Sequence, residues 1–379
     1  MDKSNTASGG KPETRPGLSL VSSSPSELIP VYQISPLQDP RWDEFLGRHP
    51  RSSVFHTTAW LDTLRRTYGY QPICLTTSPP GDALQNGLVF CRVESWITGR
   101  RFVSLPFSDH CDFLIDTPAS VPALLATLAR ECEKQKQAHV EIRPLCPPDG
   151  LQPFFSPTVA YCFHALNLDP TLETLFSNFH KDSTQRKIKR AEREGLTEQL
   201  GRSESILEEF YRLQLLTRRR HGVPPQPRSW FQNMIDCFGE ALQIRLAFKG
   251  DRAIAGILTL RHKNSLVHKY GCSVAEFNNL GGMHLLFWRA IQEAKELGLR
   301  QFDLGRSDLD NEGLITFKDR WGATRSTLGY LRHVGSGRLP IAPKQTSADW
   351  KSRLAKQVFT HAPNGFLSLA ANLLYKHVG

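Results

Sequence analysis

The sequence contains no apolar run approaching the ~18 residues of a membrane span. Its first 25 residues, MDKSNTASGGKPETRPGLSLVSSSP, lack the apolar stretch of a secretory signal. These absences exclude an integral membrane protein and lead us to expect a cytoplasmic one. The eight cysteines, at 74, 91, 111, 132, 146, 162, 237 and 272, form no CxxC pair and lie near no matching His pair, so zinc ribbons, zinc fingers and thioredoxin motifs are excluded. Scattered single cysteines suit a reducing compartment, where they act as small buried apolar residues. Also missing are GxxxxGK[ST], a GxGxxG after a strand, HExxH and GxSxG. P-loop kinases, Rossmann dehydrogenases, zincins and typical α/β-hydrolases are thereby set aside.

What is present suits two ordinary domains: 379 residues, 40% hydrophobic and 22% charged. The net charge of +10 is uneven. Residues 181–228 hold 12 Lys and Arg against seven Asp and Glu, and residues 341–379 hold five against one. Such a field attracts phosphates, whether on nucleotides, tRNA, a coenzyme or anionic lipid. Without aromatic interleaving or a groove-reading motif, no DNA binding is expected.

Residues 1–28 are expected to be a disordered tail. A first unit over 29–168 opens with a helix at Pro40 and a second from Thr57 to Gly69. Strands follow at Ile73–Thr76, Leu88–Val93 and Phe102–Leu105, then a helix at Val121–Glu133 and strands at His139–Ile142 and Tyr161–Leu168. A second unit over 169–340 has helices at Thr171–Phe179, Ser183–Glu194, Ile206–Leu216 and Ser229–Phe238. A meander follows, Leu242–Phe248, Ile254–Arg261 and Leu266–Cys272. The amphipathic helix Met283–Leu297, a strand at Gln301–Leu304, a short helix at Leu314–Trp321 and a strand at Thr327–Leu331 complete it. The expected class is α/β in α+β layers, with mixed, mostly antiparallel sheets flanked by helices. Residues 341–379 read as a basic amphipathic helical tail, suited either to an anionic membrane surface or to packing on the protein itself.

Several clusters could carry chemistry. Asn278–Asn279–Leu280–Gly281–Gly282 lies between a strand and a helix, where backbone N–H groups can meet an oxyanion or pyrophosphate. Asn279, Gly281, Gly282 and His284 are therefore candidate donor-binding residues. In QFDLGRSDLDNEGLITFKDRWG, Lys318 can stabilise the oxyanion of an acyl transfer, and Asp303 or Asp308 can take a proton. Tyr270 is a candidate for protonating the leaving group. His56, Trp60, Asp109, His110 and Arg306 are candidates to line an acceptor cleft. Asp109 to Asp112, DHCD, alternate faces on an extended chain, so at most two could converge and no metal is expected.

The runs FHTTAW…YGYQP, ITGRRFVSLPFSDHCDFLI, TRRRHGVPPQP and FDLGRS…GLITFKDRWGA, spanning about residues 30–335, resemble the FemAB-like branch of the GNAT superfamily. More narrowly they resemble BioF2-like acetyltransferase-domain proteins that accompany exopolysaccharide and PEP-CTERM/exosortase clusters. The resemblance implies two tandem GNAT-like domains with a cleft between them, and transfer of an acyl or aminoacyl group to an amine. Phe317, Lys318, Trp321 and Gly322 match the FKxxWG motif, and Asp303, Gly305, Arg306 and Ser307 match DxGRS. Fem ligases often carry a long helical arm, whereas here the helices at 206–216 and 229–238 are short and Pro-broken. On that ground the expectation is transfer of a group other than aminoacyl, from acyl-CoA to an amine of an envelope or exopolysaccharide precursor. The acceptor would be a small molecule or a lipid-linked saccharide, with peripheral contact at the inner face of the membrane. A Fem-type ligase using aminoacyl-tRNA is the alternative; a non-catalytic polysaccharide- or lipid-binding scaffold is a third.

Overall fold

The computed structural model describes residues 29–149, 151, 154–334 and 375–377. The expected tail over 1–28 and most of that over 341–379 lie outside them. The first half runs β1 (Tyr32–Ile34), α1 (Arg41–Arg48), α2 (Thr58–Tyr68), β2 (Gln71–Thr76), β3 (Asn86–Ser95), β4 (Gly99–Ser104), β5 (Leu114–Ile115), α3 (Val121–Lys134), β6 (His139–Ile142) and β7 (Ser156–Asn167). The second runs α4 (Leu172–Asn178), α5 (Arg186–Arg193), β8 (Thr197–Gly201), α6 (Glu204–His221), α7 (Arg228–Phe238), β9 (Leu242–Lys249), β10 (Arg252–His262), β11 (Ser265–Ser273), α8 (Gly282–Glu296), β12 (Gln301–Asp308), α9 (Glu312–Asp319) and β13 (Thr324–Val334).

Local chemistry sets many of these limits. The Thr57 hydroxyl accepts from Trp60 N to start α2, and Gly69 at φ +73° ends it. Ser203 caps α6 in the same way. That helix continues past the expected Leu216 to His221, because Arg218, Arg219, Arg220 and His221 in the last turn favour the negative helix end and Gly222 takes the left-handed cap. The expected helix from Ser183 begins instead as a single π turn over Lys181–Gln185 before α5.

Each half repeats one plan. β2–β3–β4 is an antiparallel meander, α3 crosses over, and β6 pairs parallel to β4. β9–β10–β11 is a second meander, α8 crosses over, and β12 pairs parallel to β11. The last strand of each half then crosses to the other: β7 pairs antiparallel with β12, and β13 with β6. β7 and β13 also pair with each other. The result is one continuous mixed sheet, mostly antiparallel, in the order β1-β2-β3-β4-β6-β13-β7-β12-β11-β10-β9-β8. Tyr161–Leu168, expected as the closing strand of the first unit, thus lies among strands of the second. Pro144, Pro147 and Pro148 precede it and have no N–H to donate, so the chain does not fold straight back on β6. Helices flank the sheet, and one apolar core joins the halves where Trp60 of α2 meets Trp230 of α7 edge-on at 5.4 Å.

Candidate active site

The two parallel strands of the second half pair only briefly. Ser265, Leu266 and Val267 of β11 face Gln301, Phe302 and Asp303 of β12, and then the strands part. Both are irregular at that point. On β11, Leu258 faces Tyr270 and Thr259 faces His268, leaving Lys269 as the extra residue of a bulge. On β12 a second shift falls between Asp303 and Arg306. Bulges redirect side chains and release backbone groups from the ladder. Gly305, at φ +70°, is required here, since a Cβ would lie 2.9 Å from Asp109 Oδ2.

Charged groups converge on this opening from both halves. Lys318, delivered by α9, donates from Nζ to the Gly305 carbonyl at 2.9 Å and the Arg306 carbonyl at 3.0 Å. An ammonium has three donors, so one proton remains uncommitted. Burial pushes its pKa down to about 8, with Asp109 and Asp303 opposing the fall. Asp109 Oδ1 lies 3.2 Å from Lys269 Nζ and 3.9 Å from Arg306 Nε. Burial alone would raise its carboxyl, but Lys269 and Arg306 outweigh that and hold it below the usual range. Burial lowers the Lys269 ammonium against the pull of Asp109; its Nζ also lies 5.2 Å from the Phe55 ring centre and 5.6 Å from that of Trp60. The Arg306 guanidinium stacks over Tyr161 at 4.1 Å and Tyr330 at 5.1 Å, and its Nη1 is enclosed without a partner. Tyr330 donates to the Asp109 carbonyl at 2.8 Å. His110 Nε2 sits 2.9 Å from Asp303 Oδ2, while Asp303 Oδ1 accepts from Gly305 N at 2.7 Å. Both Asp303 oxygens are thus engaged, which suits holding His110 and the bulge better than exchanging protons.

A cavity of about 230 Å³ opens at the start of α8, lined among others by Lys187, Asn278, Gly282, His284 and Phe317. Phe317 also connects it to α9 and hence to Lys318. His284 is 8% exposed and its Nδ1 has no partner; burial, with Lys187 and Arg320 nearby, takes its pKa to about 3. Gly282 packs against Ala255 and Ala247, and Gly281 against the Lys187 carbonyl. Asn279 is exposed and does not line the cavity. A larger cleft, about 950 Å³ and bordered by Asp62, Arg66, Gln71 and Arg92, contains none of the expected site residues.

Of the expected residues, Asp109, His110, Asp303, Arg306 and Lys318 meet, and Gly282 and His284 share the nearby cavity. Three others are committed to other contacts. His56 is fully enclosed, with Nε2 on the Asp112 carbonyl at 3.0 Å and Nδ1 accepting from Ser53 N at 3.0 Å. Trp60 is fully enclosed in the apolar core, edge-on to Trp230. The Tyr270 hydroxyl accepts from Trp230 Nε1 at 2.9 Å and Gln226 Nε2 at 3.3 Å, and burial raises its pKa above the ordinary value. Within DHCD, the adjacent Asp109 and His110 both turn to this site, whereas Asp112 Oδ1 accepts from Leu145 N and Cys146 N. Sequence reasoning missed Lys269, Tyr161 and Tyr330. The signal for Lys269 was a lone cation inside the otherwise strand-like run LVHKYGCS.

Residues 178–318 match the acetyltransferase (GNAT) domain family. A stretch of 144 residues is 25% identical to the UDP-N-acetylmuramoylpentapeptide-lysine N(6)-alanyltransferase of Weissella viridescens, covering 37% of this chain. The match spans 43% of that relative's length. The crystal structure of FemX aligns with a TM-score of 0.63 at 16% identity, over 80% of this chain and 97% of that one. L-PGS from Bacillus licheniformis aligns at 0.52 and 15% identity, over 86% and 98%. A tandem GNAT protein from the clavulanic acid biosynthesis pathway aligns at 0.52 and 11% identity, over 82% and 99%. These likenesses establish the fold. The alanyltransferase corrects one expectation: it moves an aminoacyl group, so the restriction to groups other than aminoacyl, drawn from the shortness of two helices, does not stand.

Proposed function

We propose that the chain, which matches the acetyltransferase (GNAT) domain family over residues 178–318, acts as a FemAB-like enzyme and transfers an aminoacyl group from aminoacyl-tRNA to an amine of a cell-envelope precursor. The observation that carries this reading is the Lys318 ammonium, held by two carbonyls beside the parted strands with a third proton free. The acceptor nitrogen attacks the ester carbonyl and a C–N bond forms. Negative charge develops on the carbonyl oxygen, where Lys318 donates. Collapse breaks the ester C–O bond, and the proton lost by the amine ends on the departing ribose oxygen. Stabilisation of this kind is typically worth about 3–4 kcal/mol.

The cavity at α8, with Lys187 at its wall and the basic face of α5 beside it, suits the polyanionic carrier of the donor. Arg306, with an unpartnered Nη1, suits an anionic group on the acceptor. The test is to incubate the protein with a tRNA pool charged with labelled amino acids and with either nucleotide-linked or lipid-linked envelope precursors. Ribonuclease-sensitive transfer of label to a precursor amine is expected. Transfer that survives ribonuclease and requires an acyl thioester would overturn the donor assignment.

A further inference from the structure

We propose that the tip of the β3–β4 hairpin is an anchor that seats in the headgroup region of an anionic bilayer. Two large apolar side chains stand side by side there, Trp96 at 85% and Ile97 at 48% exposed. Trp42, Trp60, Trp230 and Trp321 are by contrast enclosed in the cores, and Trp288 is 8% exposed. The turn is held in shape. Ser95 Oγ accepts from Ile97 N at 3.1 Å and Thr98 N at 2.8 Å, and Gly99 at φ +81° closes the turn. Thr98 Oγ1 donates to the His377 carbonyl at 2.7 Å, and the His377 ring packs on Trp96 at 5.5 Å. Trp96 is thus presented to solvent by a braced loop.

The chain around the pair is rich in cations. Arg100 follows the pair, and the Arg100 carbonyl accepts from Ala138 N at 2.7 Å, in the segment that carries Lys136 and follows Lys134, the last residue of α3. Lys376 and Arg92 line a groove with Trp96. Against these five stand Glu94, Glu131 and Glu133, and Glu131 is paired with Lys134 at 3.7 Å. Tyr375–His377 form a short turn at this tip. Tryptophan favours the membrane–water interface. One apolar anchor binds only marginally, and a basic neighbourhood supplies the second contribution that stable attachment needs. Among the described residues no helix is long and apolar enough to cross a membrane.

The test uses the full chain and sedimentation with vesicles of equal parts phosphatidylglycerol and phosphatidylcholine, against vesicles of phosphatidylcholine alone. Preferential partition to the anionic vesicles, weakening with salt, is expected, with a blue shift in tryptophan emission. The double variant Trp96→Ser/Ile97→Ser, checked for native circular dichroism, is expected to partition about tenfold less and to lose the blue shift, since it removes both inserted side chains. Equal partition of the variant, no preference for the anionic vesicles, or a concentration-dependent self-association abolished by the same substitutions would each overturn the proposal; the last would make the tip a contact between copies of the chain.

Discussion

His110 and Asp303 come from opposite halves of the chain and meet beside Lys318. Burial would lower the imidazole's pKa, but the hydrogen bond to Asp303 and its charge outweigh burial and raise it. A histidine raised on folding contributes stability that is fully present below its unfolded value of about 6.5 and is lost as pH rises through the folded value. The unfolding free-energy difference between wild type and His110→Gln, measured in urea, is therefore expected to be larger near pH 5.5 than near pH 9. An equal gap at both would remove the charge from this pair. For Lys318 the consequence is catalytic: with a pKa of about 8 the ammonium is present at neutral pH, and its contribution to turnover declines above that value. Lys318→Arg, which stays charged, is expected to move that decline to higher pH. The types of these residues were legible in the sequence, but their pairing was not, because 193 positions separate His110 from Asp303 and no local pattern records such a contact.

At the scale of elements, the junction from β11 to α8 carries the tightest constraint. Gly281 has φ +85°, and a Cβ there would lie 2.3 Å from the Lys187 carbonyl of α5. Gly281→Ala combines left-handed strain with a backbone clash and is expected to destabilise the protein by about 2 kcal/mol or more in chemical denaturation. The same change at Gly250, φ +59° with open space around it, is expected to cost about 1 kcal/mol. The sequence shows the glycines and the helix that follows. It does not show that α5 presses on this turn, so the pair read as a ligand cradle when Gly281 is also a packing device. The meander over Leu242–Ser273 was readable because alternation, turn residues and strand length agree there. The short β1, over Tyr32–Ile34, has too few residues to show a period.

For the whole molecule, the exchange of β7 and β13 ties the halves into one sheet. Each leaves the repeat it belongs to in sequence and lies against the parallel strand of the other. Fragments 29–168 and 169–334, expressed separately, are therefore expected to lack native structure by NMR, since β7 would lose both neighbours and β13 likewise. Two independently folded fragments would contradict this. The order of helices, strands, a helix and a strand in each half was legible in the sequence, whereas the exchange depends on non-local pairing that no periodicity reports. The same sheet places Lys318, Asp109 and the parted strands together, and the claim resting on it is that Lys318 acts on the transition state. Single-turnover transfer from a labelled aminoacyl-tRNA by Lys318→Met tests this most directly. The expected result is a rate lower by about 100-fold or more with donor affinity little changed; a rate equal to wild type in a correctly folded variant would contradict it.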